Sequence, residues 1–233
     1  MSLFSAANRL VVARGVRGFA DGAVTVLLAR HLITLGFSAA QSGALMTATL
    51  LGSAATTLAL GLVGHRLPPR TVLLFGSALM FFTGLGFLTV TWFWLLFVVA
   101  IVGTLNPSTG DVSFLLPTEQ AALGSMAFGS ERVGLYARYA IAGRAGVALG
   151  ALTGGLAPQW TEEHGLGAAL GLRAGFVFAM GAAVLCLALY LGLKIAPPAT
   201  PPPKVPLQKS RGVVMRLALA GPEPGPGGAD GLV

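Results

Sequence analysis

The sequence predicts an all-α integral membrane protein with six transmembrane helices, and three observations predict it. Of 233 residues, 55% are hydrophobic and only 10% are charged. Soluble domains carry roughly 25% charged residues, so this chain has too few to cover a water-facing surface. Glycine occurs 33 times, which suits close helix packing in lipid. Six apolar segments each approach the roughly 20 residues that cross a bilayer.

The first segment runs from Val16 to Leu35 and the second from Gly43 to Val63. The third, Val72 to Val90, and the fourth, Trp92 to Leu116, form a tight hairpin. Thr89 to Trp94 make its turn, with Trp92, Phe93 and Trp94 at the membrane interface. The fourth carries a polar stretch, LNPSTGDVSFLLPTEQ, from Leu105 to Gln120. Its Pro107 is expected to kink the helix and Pro117 to end it. Glu119 is then expected at the cytoplasmic edge, in an exposed pair with basic loop residues worth about 0–1 kcal/mol. The fifth segment runs from Val133 to Ala157 and the sixth from Gly175 to Leu193.

Beyond the sixth segment the composition changes. Residues 1–195 form the six-span domain. Residues 196–210 are a proline-rich linker that excludes helix, and 211–233 read as a seventh helix begun but too short to cross, followed by a disordered Gly/Pro tail. This pattern is expected of a truncated or frame-shifted product.

Charge sets the topology. Arg9, Arg14, Arg17, Arg66, Arg70, Arg132, Arg138, Lys194, Lys204, Lys209, Arg211 and Arg216 fall on one side if the segments alternate, and only Arg30 and Arg173 on the other. Positive residues stay cytoplasmic, which puts both termini inside and the loop with Glu162, Glu163 and His164 outside. The net charge of +7 is thereby explained by topology, so no nucleic-acid partner is invoked. The N-terminus lacks a cleavage pattern and acts as an uncleaved insertion signal.

Ionisable residues within spans are candidate functional groups. Asp21 lies in the first span, Asp111 in the fourth and Arg144 in the fifth. The antiparallel arrangement of spans four and five puts Asp111 and Arg144 within about one or two helical turns in depth. One reading is a carboxylate that binds and releases a proton as its surroundings alternate; the other is a structural ion pair. Asn106, with Ser108 and Thr109, either lines a polar path or satisfies backbone freed by Pro107.

Motifs for other chemistry are missing. His31, His65 and His164 are scattered, the single Cys186 forms no cluster, and no phosphate loop, HExxH or GxSxG pattern occurs. No enzyme activity, catalytic residue, metal or cofactor is expected.

Two motifs support a resemblance. GLVGHRLPPR, Gly61 to Arg70, resembles the Gly-x-Leu-Ala-Asp-Arg-x-Gly-Arg-Arg/Lys loop between spans two and three of the major facilitator superfamily. Gly61, Arg66 and Arg70 match, while His65 replaces the aspartate and Pro68 the second glycine. Gly146, Gly150, Gly154 and Gly155 resemble the glycine-rich fifth helix of that superfamily's exporters, with Ala151 in place of a proline. Glycines on one face let helices approach and rock. The resemblance covers residues 10 to 195 and implies the N-terminal half of a transporter, built of two inverted three-helix repeats. It further implies transport of a small solute by alternating access, driven by an ion gradient with protons among the candidates, in a bacterial cytoplasmic membrane. A half-length chain would act as a homodimer or with a separate C-terminal half; the alternative is a non-transporting fragment.

Overall fold

The computed structural model describes residues 5–63, 67–103, 114–127 and 129–193, with backbone only for 61–63. All lie in one compact unit, Met1–Pro197; the linker and tail expected at 196–233 lie outside the described residues. The described elements are helices: α1 (Ala6–Thr34), α2 (Ala39–Val63), α3 (Pro69–Thr89), α4 (Phe93–Val102), α5 (Leu115–Gly124), α6 (Gly129–Glu163) and α7 (Ala168–Leu191).

Four of them, α2, α3, α6 and α7, are long and apolar enough to cross a membrane, and α4 is apolar but ten residues long. The first helix is longer than the sequence predicts. It starts at Ala6, where Ser5 caps it by accepting from the Asn8 amide at 3.3 Å, and so draws Arg9, Arg14 and Arg17 into the helix. Gly36, at φ +84°, ends it with a left-handed turn that only glycine adopts freely. The hairpin between α3 and α4 is formed by three residues, Val90 to Trp92. Pro117, expected to end a helix, sits in the first turn of α5. Proline is tolerated there because a first-turn N–H has no intrahelical acceptor, and the helix continues to Gly124.

Polar side chains in the apolar helices turn inward on their own backbone. Thr25, Thr56, Thr57, Thr83 and Thr153 each donate to the carbonyl four residues earlier at 2.7–2.9 Å. That bond removes an unsatisfied hydroxyl from lipid.

The tightest packing joins α1 to α6, which run side by side in the same direction. Gly15 faces Gly146, Phe19 faces Gly150 and Ala23 faces Gly154. A side chain at Gly146 would overlap the Gly15 carbonyl, and one at Gly150 the Phe19 carbonyl. The glycines are reciprocal. A β-carbon on Gly18 would fall 2.5 Å from the Gly143 carbonyl oxygen, and one on Gly22 would overlap Val147. The four seam glycines of α6 are therefore 143, 146, 150 and 154. Gly155 lies off the seam, its nearest neighbour across it being Val26 at 3.9 Å. The α7 helix runs the other way and meets α6 backbone to backbone at Gly171 and Pro158.

Two apolar clusters fill the bundle. One, near the α1–α2 link, gathers Leu28, Leu32, Leu45, Phe87, Leu96 and Phe176. The other, near the start of α1, gathers Leu10, Leu73, Phe114, Leu123, Tyr139 and Tyr190.

Gly150→Leu should prevent α1 and α6 from closing and lower stability by at least the roughly 1–3 kcal/mol of an overpacked core. Gly155→Ala should leave the melting temperature unchanged or raise it. Thermal unfolding of the purified protein in detergent separates the two outcomes.

Candidate functional site

The most polar feature of the described interior is a carboxylate. Glu119 on α5 is fully buried, contrary to its expected place at the exposed edge. The physical reason is local. Since Pro117 starts a helix instead of ending one, Glu119 falls within a helical turn packed against the bundle, and its apolar neighbours Leu115, Ala122 and Leu123 are buried with it.

Three other helices supply its partners. Arg17 of α1, 2% exposed, donates from Nη2 to Oε2 at 2.8 Å. The Tyr139 hydroxyl of α6 donates to the same oxygen, and the Tyr190 hydroxyl of α7 donates to Oε1. Both tyrosines are among the largest fully buried side chains. Arg14, also buried, places its guanidinium 5.7 Å from the Tyr139 ring centroid, in cation–π range, and packs against Gly143 of the α6 seam. Beside them the buried Cys186 thiol faces the Ala13 carbonyl at 3.6 Å.

This geometry corrects the reading of Arg14 and Arg17 as cytoplasmic topology charges. They are buried residues of α1, and Arg17 forms an ion pair with Glu119. The carboxylate is satisfied by the Arg17 guanidinium and by two hydroxyl donors, the condition under which an ionised group is tolerated in a low-dielectric interior. Chemically, the arrangement is a buried knot of α1, α5, α6 and α7, tied at the Glu119 carboxylate. It offers no accessible face to a solute.

The other sequence candidates are dispersed. Asp21 is half-buried on α1, one turn beyond Arg17 and on the same helix face. Arg144 is exposed near the middle of α6, pointing away from the glycine seam, and forms no ion pair with a described carboxylate. Asn106 and Asp111, with Pro107, lie outside the described residues, as does Arg66; Gly61 lies within α2. Arg70 donates to the Leu191 carbonyl at 2.6 Å, joining α3 to the end of α7. His31 is buried, with Nε2 3.0 Å from the Phe87 carbonyl and its ring 4.8 Å from Phe176. It links α1 to the ends of α3 and α7. No group of three metal-ligating side chains occurs among the described residues.

Sequence reasoning missed the knot because its parts are about 20 to 170 residues apart. The available signal was the spacing of Arg14 and Arg17, three residues apart and therefore on one helical face, directly before an apolar run.

Comparison with known proteins bears on the whole bundle. A family model described as Major Facilitator Superfamily matches residues 10–223. An uncharacterized membrane protein of Saccharomyces cerevisiae is 30% identical over 147 residues, covering 63% of this chain. The chain spans about a third of that relative's length, since the match covers 33% of it.

Glu119→Gln should destabilise the bundle by about 3–5 kcal/mol, because it leaves the Arg17 guanidinium buried opposite a neutral group. The double variant Arg17→Gln/Glu119→Gln should be less damaged than Glu119→Gln alone. Tyr190→Phe should cost about 1.5–3 kcal/mol, the scale of one hydrogen bond to a charged group. Denaturant unfolding in mixed micelles gives all three values.

Proposed function

The chain belongs to the Major Facilitator Superfamily, a family of membrane transporters, and from that premise we propose that it moves a small solute by alternating access, coupled to an ion gradient. The observation that carries the reading is the family match across residues 10–223. The multi-pass character of the chain, with its long apolar helices, accords with it.

The six-span arrangement is part of the proposal. A ten-residue helix is about 15 Å long, half the hydrocarbon thickness, so α4 alone does not cross. However, the Phe93 ring lies 5.8 Å from that of Phe37, in the α1–α2 link. Further along the chain, Glu119 meets Tyr190 near the far end of α7. These contacts put residues 93 and 119 toward opposite ends of the bundle, which supports reading α4 and α5 as parts of one span. With Arg14 and Arg17 removed from the charge count, Arg9, Arg66, Arg70, Arg132, Arg138 and Lys194 still outnumber Arg30 and Arg173. The bias supports cytoplasmic termini in a cytoplasmic membrane.

A second bundle is expected to complete the transport path, either another copy of this chain or a separate half. The apolar windows of α2 and α6 are only 28% and 22% buried, against 44% for α3 and 39% for α7. The two least-covered spans are the surfaces that such a bundle would meet. Arg144 stands on the open side of α6, where a bare guanidinium facing lipid would cost a few kcal/mol; a polar path on that side gives it water. Asp21 is the proposed proton-exchanging carboxylate, because it is a half-buried acid within α1, one helical turn from the Arg17–Glu119 pair. Rocking of the Gly146, Gly150 and Gly154 seam is the proposed gating element.

Two measurements test this. Arg144→Cys in a Cys186→Ala background should react with a membrane-impermeant thiol reagent, whereas a lipid-facing position would stay unlabelled. In proteoliposomes loaded with a pH-sensitive dye and offered a panel of labelled small solutes, solute uptake should move protons. Asp21→Asn should abolish the proton movement. Uptake with unchanged proton movement in Asp21→Asn would remove the coupling assignment and leave transport standing.

A further inference from the structure

A groove of about 720 Å³ runs between α6 and α7 with α1 as its floor, within the roughly 300–1,000 Å³ range of small-molecule sites. Its walls are almost wholly apolar. Gly15 and Phe19 form the floor, Ala142 and Leu149 one wall, and Phe178 and Leu185 the other. The Phe19 and Phe178 rings meet across it at 5.5 Å. At one end the walls converge, where Gly171 packs on Pro158.

The other end is polar and basic. Following the helical ridges shows why. On α6 the ridge 149, 145, 142 continues to Arg138, and on α1 the ridge 19, 15, 12 continues to Asn8. Those two residues are bonded: Arg138 Nη2 donates to Asn8 Oδ1 at 2.7 Å. On α7 the ridge 178, 181, 185 continues to Gly192, and the Arg9 guanidinium lies directly over Gly192, where any side chain would overlap it. All three ridges thus leave the apolar groove at the same end, on Arg138, Asn8 and Arg9. Asn8 holds the Arg138 guanidinium across the mouth. Arg138 itself is exposed.

An apolar slot with two cations at its membrane-surface end matches an anionic amphiphile lying parallel to the helices. The slot excludes a hydrated solute, since it offers almost nothing polar to replace water. We propose that this groove binds an acyl chain of an anionic phospholipid, with the lipid phosphate held at Arg138, the exposed arginine of the mouth. The site is separate from the Glu119 knot and from the open side of α6 that carries Arg144, and it does not depend on the transport reading.

The experiment uses the full chain in lipid vesicles. Trp92, Trp94 and Trp160 are replaced by phenylalanine and Phe178→Trp is the reporter, quenched by brominated phosphatidylglycerol or brominated phosphatidylcholine. The expected result is about a fivefold preference for the anionic lipid, the scale of one arginine facing an anionic headgroup. Arg138→Gln should remove the preference and Arg138→Lys should keep it. Arg30→Gln, at the opposite end of α1, should leave it unchanged. Gly181 has nothing within 4 Å of an added β-carbon, so Gly181→Leu fills the groove without a clash and should lower quenching by both lipids. Equal quenching by the two lipids, or a preference that survives Arg138→Gln, would overturn the assignment. Protection of the reporter from both lipids, with a dimer seen by native electrophoresis, would show that a second copy covers the groove instead.

Discussion

The contact between α1 and α6 is the constraint on which the remaining structure depends. Four glycines of α6 and two of α1 remove the side chains that would hold the helices apart, so carbonyl and amide groups meet at backbone distance. Close approach of this kind is the main source of helix association in lipid, where burial of apolar surface between helices contributes little. Two consequences follow from the register. Gly143 gives room to Arg14, whose guanidinium lies against the Tyr139 ring. Higher up, the paired helices form a single platform whose second edge receives α7 and leaves the apolar slot between α6 and α7.

The buried carboxylate then fixes what the glycine seam brings near. Apolar packing alone is permissive about rotation and sliding of helices in a membrane. Glu119 is not, because its two oxygens accept from Arg17, Tyr139 and Tyr190 on three separate helices. A rotation of any one would strand a charge or a hydroxyl in a low-dielectric interior. The combination divides labour between a tolerant seam and an intolerant knot. It makes one end of the bundle a rigid body, while the far end is held by apolar contacts and by His31 on the Phe87 carbonyl.

Much of this was legible in the sequence, and the part that was not has a physical cause. Apolar length gave the helices at α2, α3, α6 and α7 closely, since lipid imposes it on each segment independently. The start of α1 was misplaced by ten residues because charge density was read as a membrane boundary. Arg17 is paired in the interior by Glu119, a residue 102 positions away, and no local window contains both. Glu119 itself was misread through Pro117, whose effect reverses between the last and the first turn of a helix. Gly146, Gly150 and Gly154 were recognisable from their spacing, but Gly143 takes its place in the seam through the side chain of Arg14.

The length of chain between the partners of the knot has a bearing on biosynthesis. At roughly 5–20 residues per second, the ribosome reaches Glu119 some 5–20 seconds after Arg17. Tyr190 is a further 71 residues away. During that interval the Arg17 guanidinium has no counter-charge from α5, so lipid is a poor host for that turn of α1. The first helix of the chain must therefore settle among the last ones, held near the insertion machinery or shallow in the interface until α5, α6 and α7 arrive.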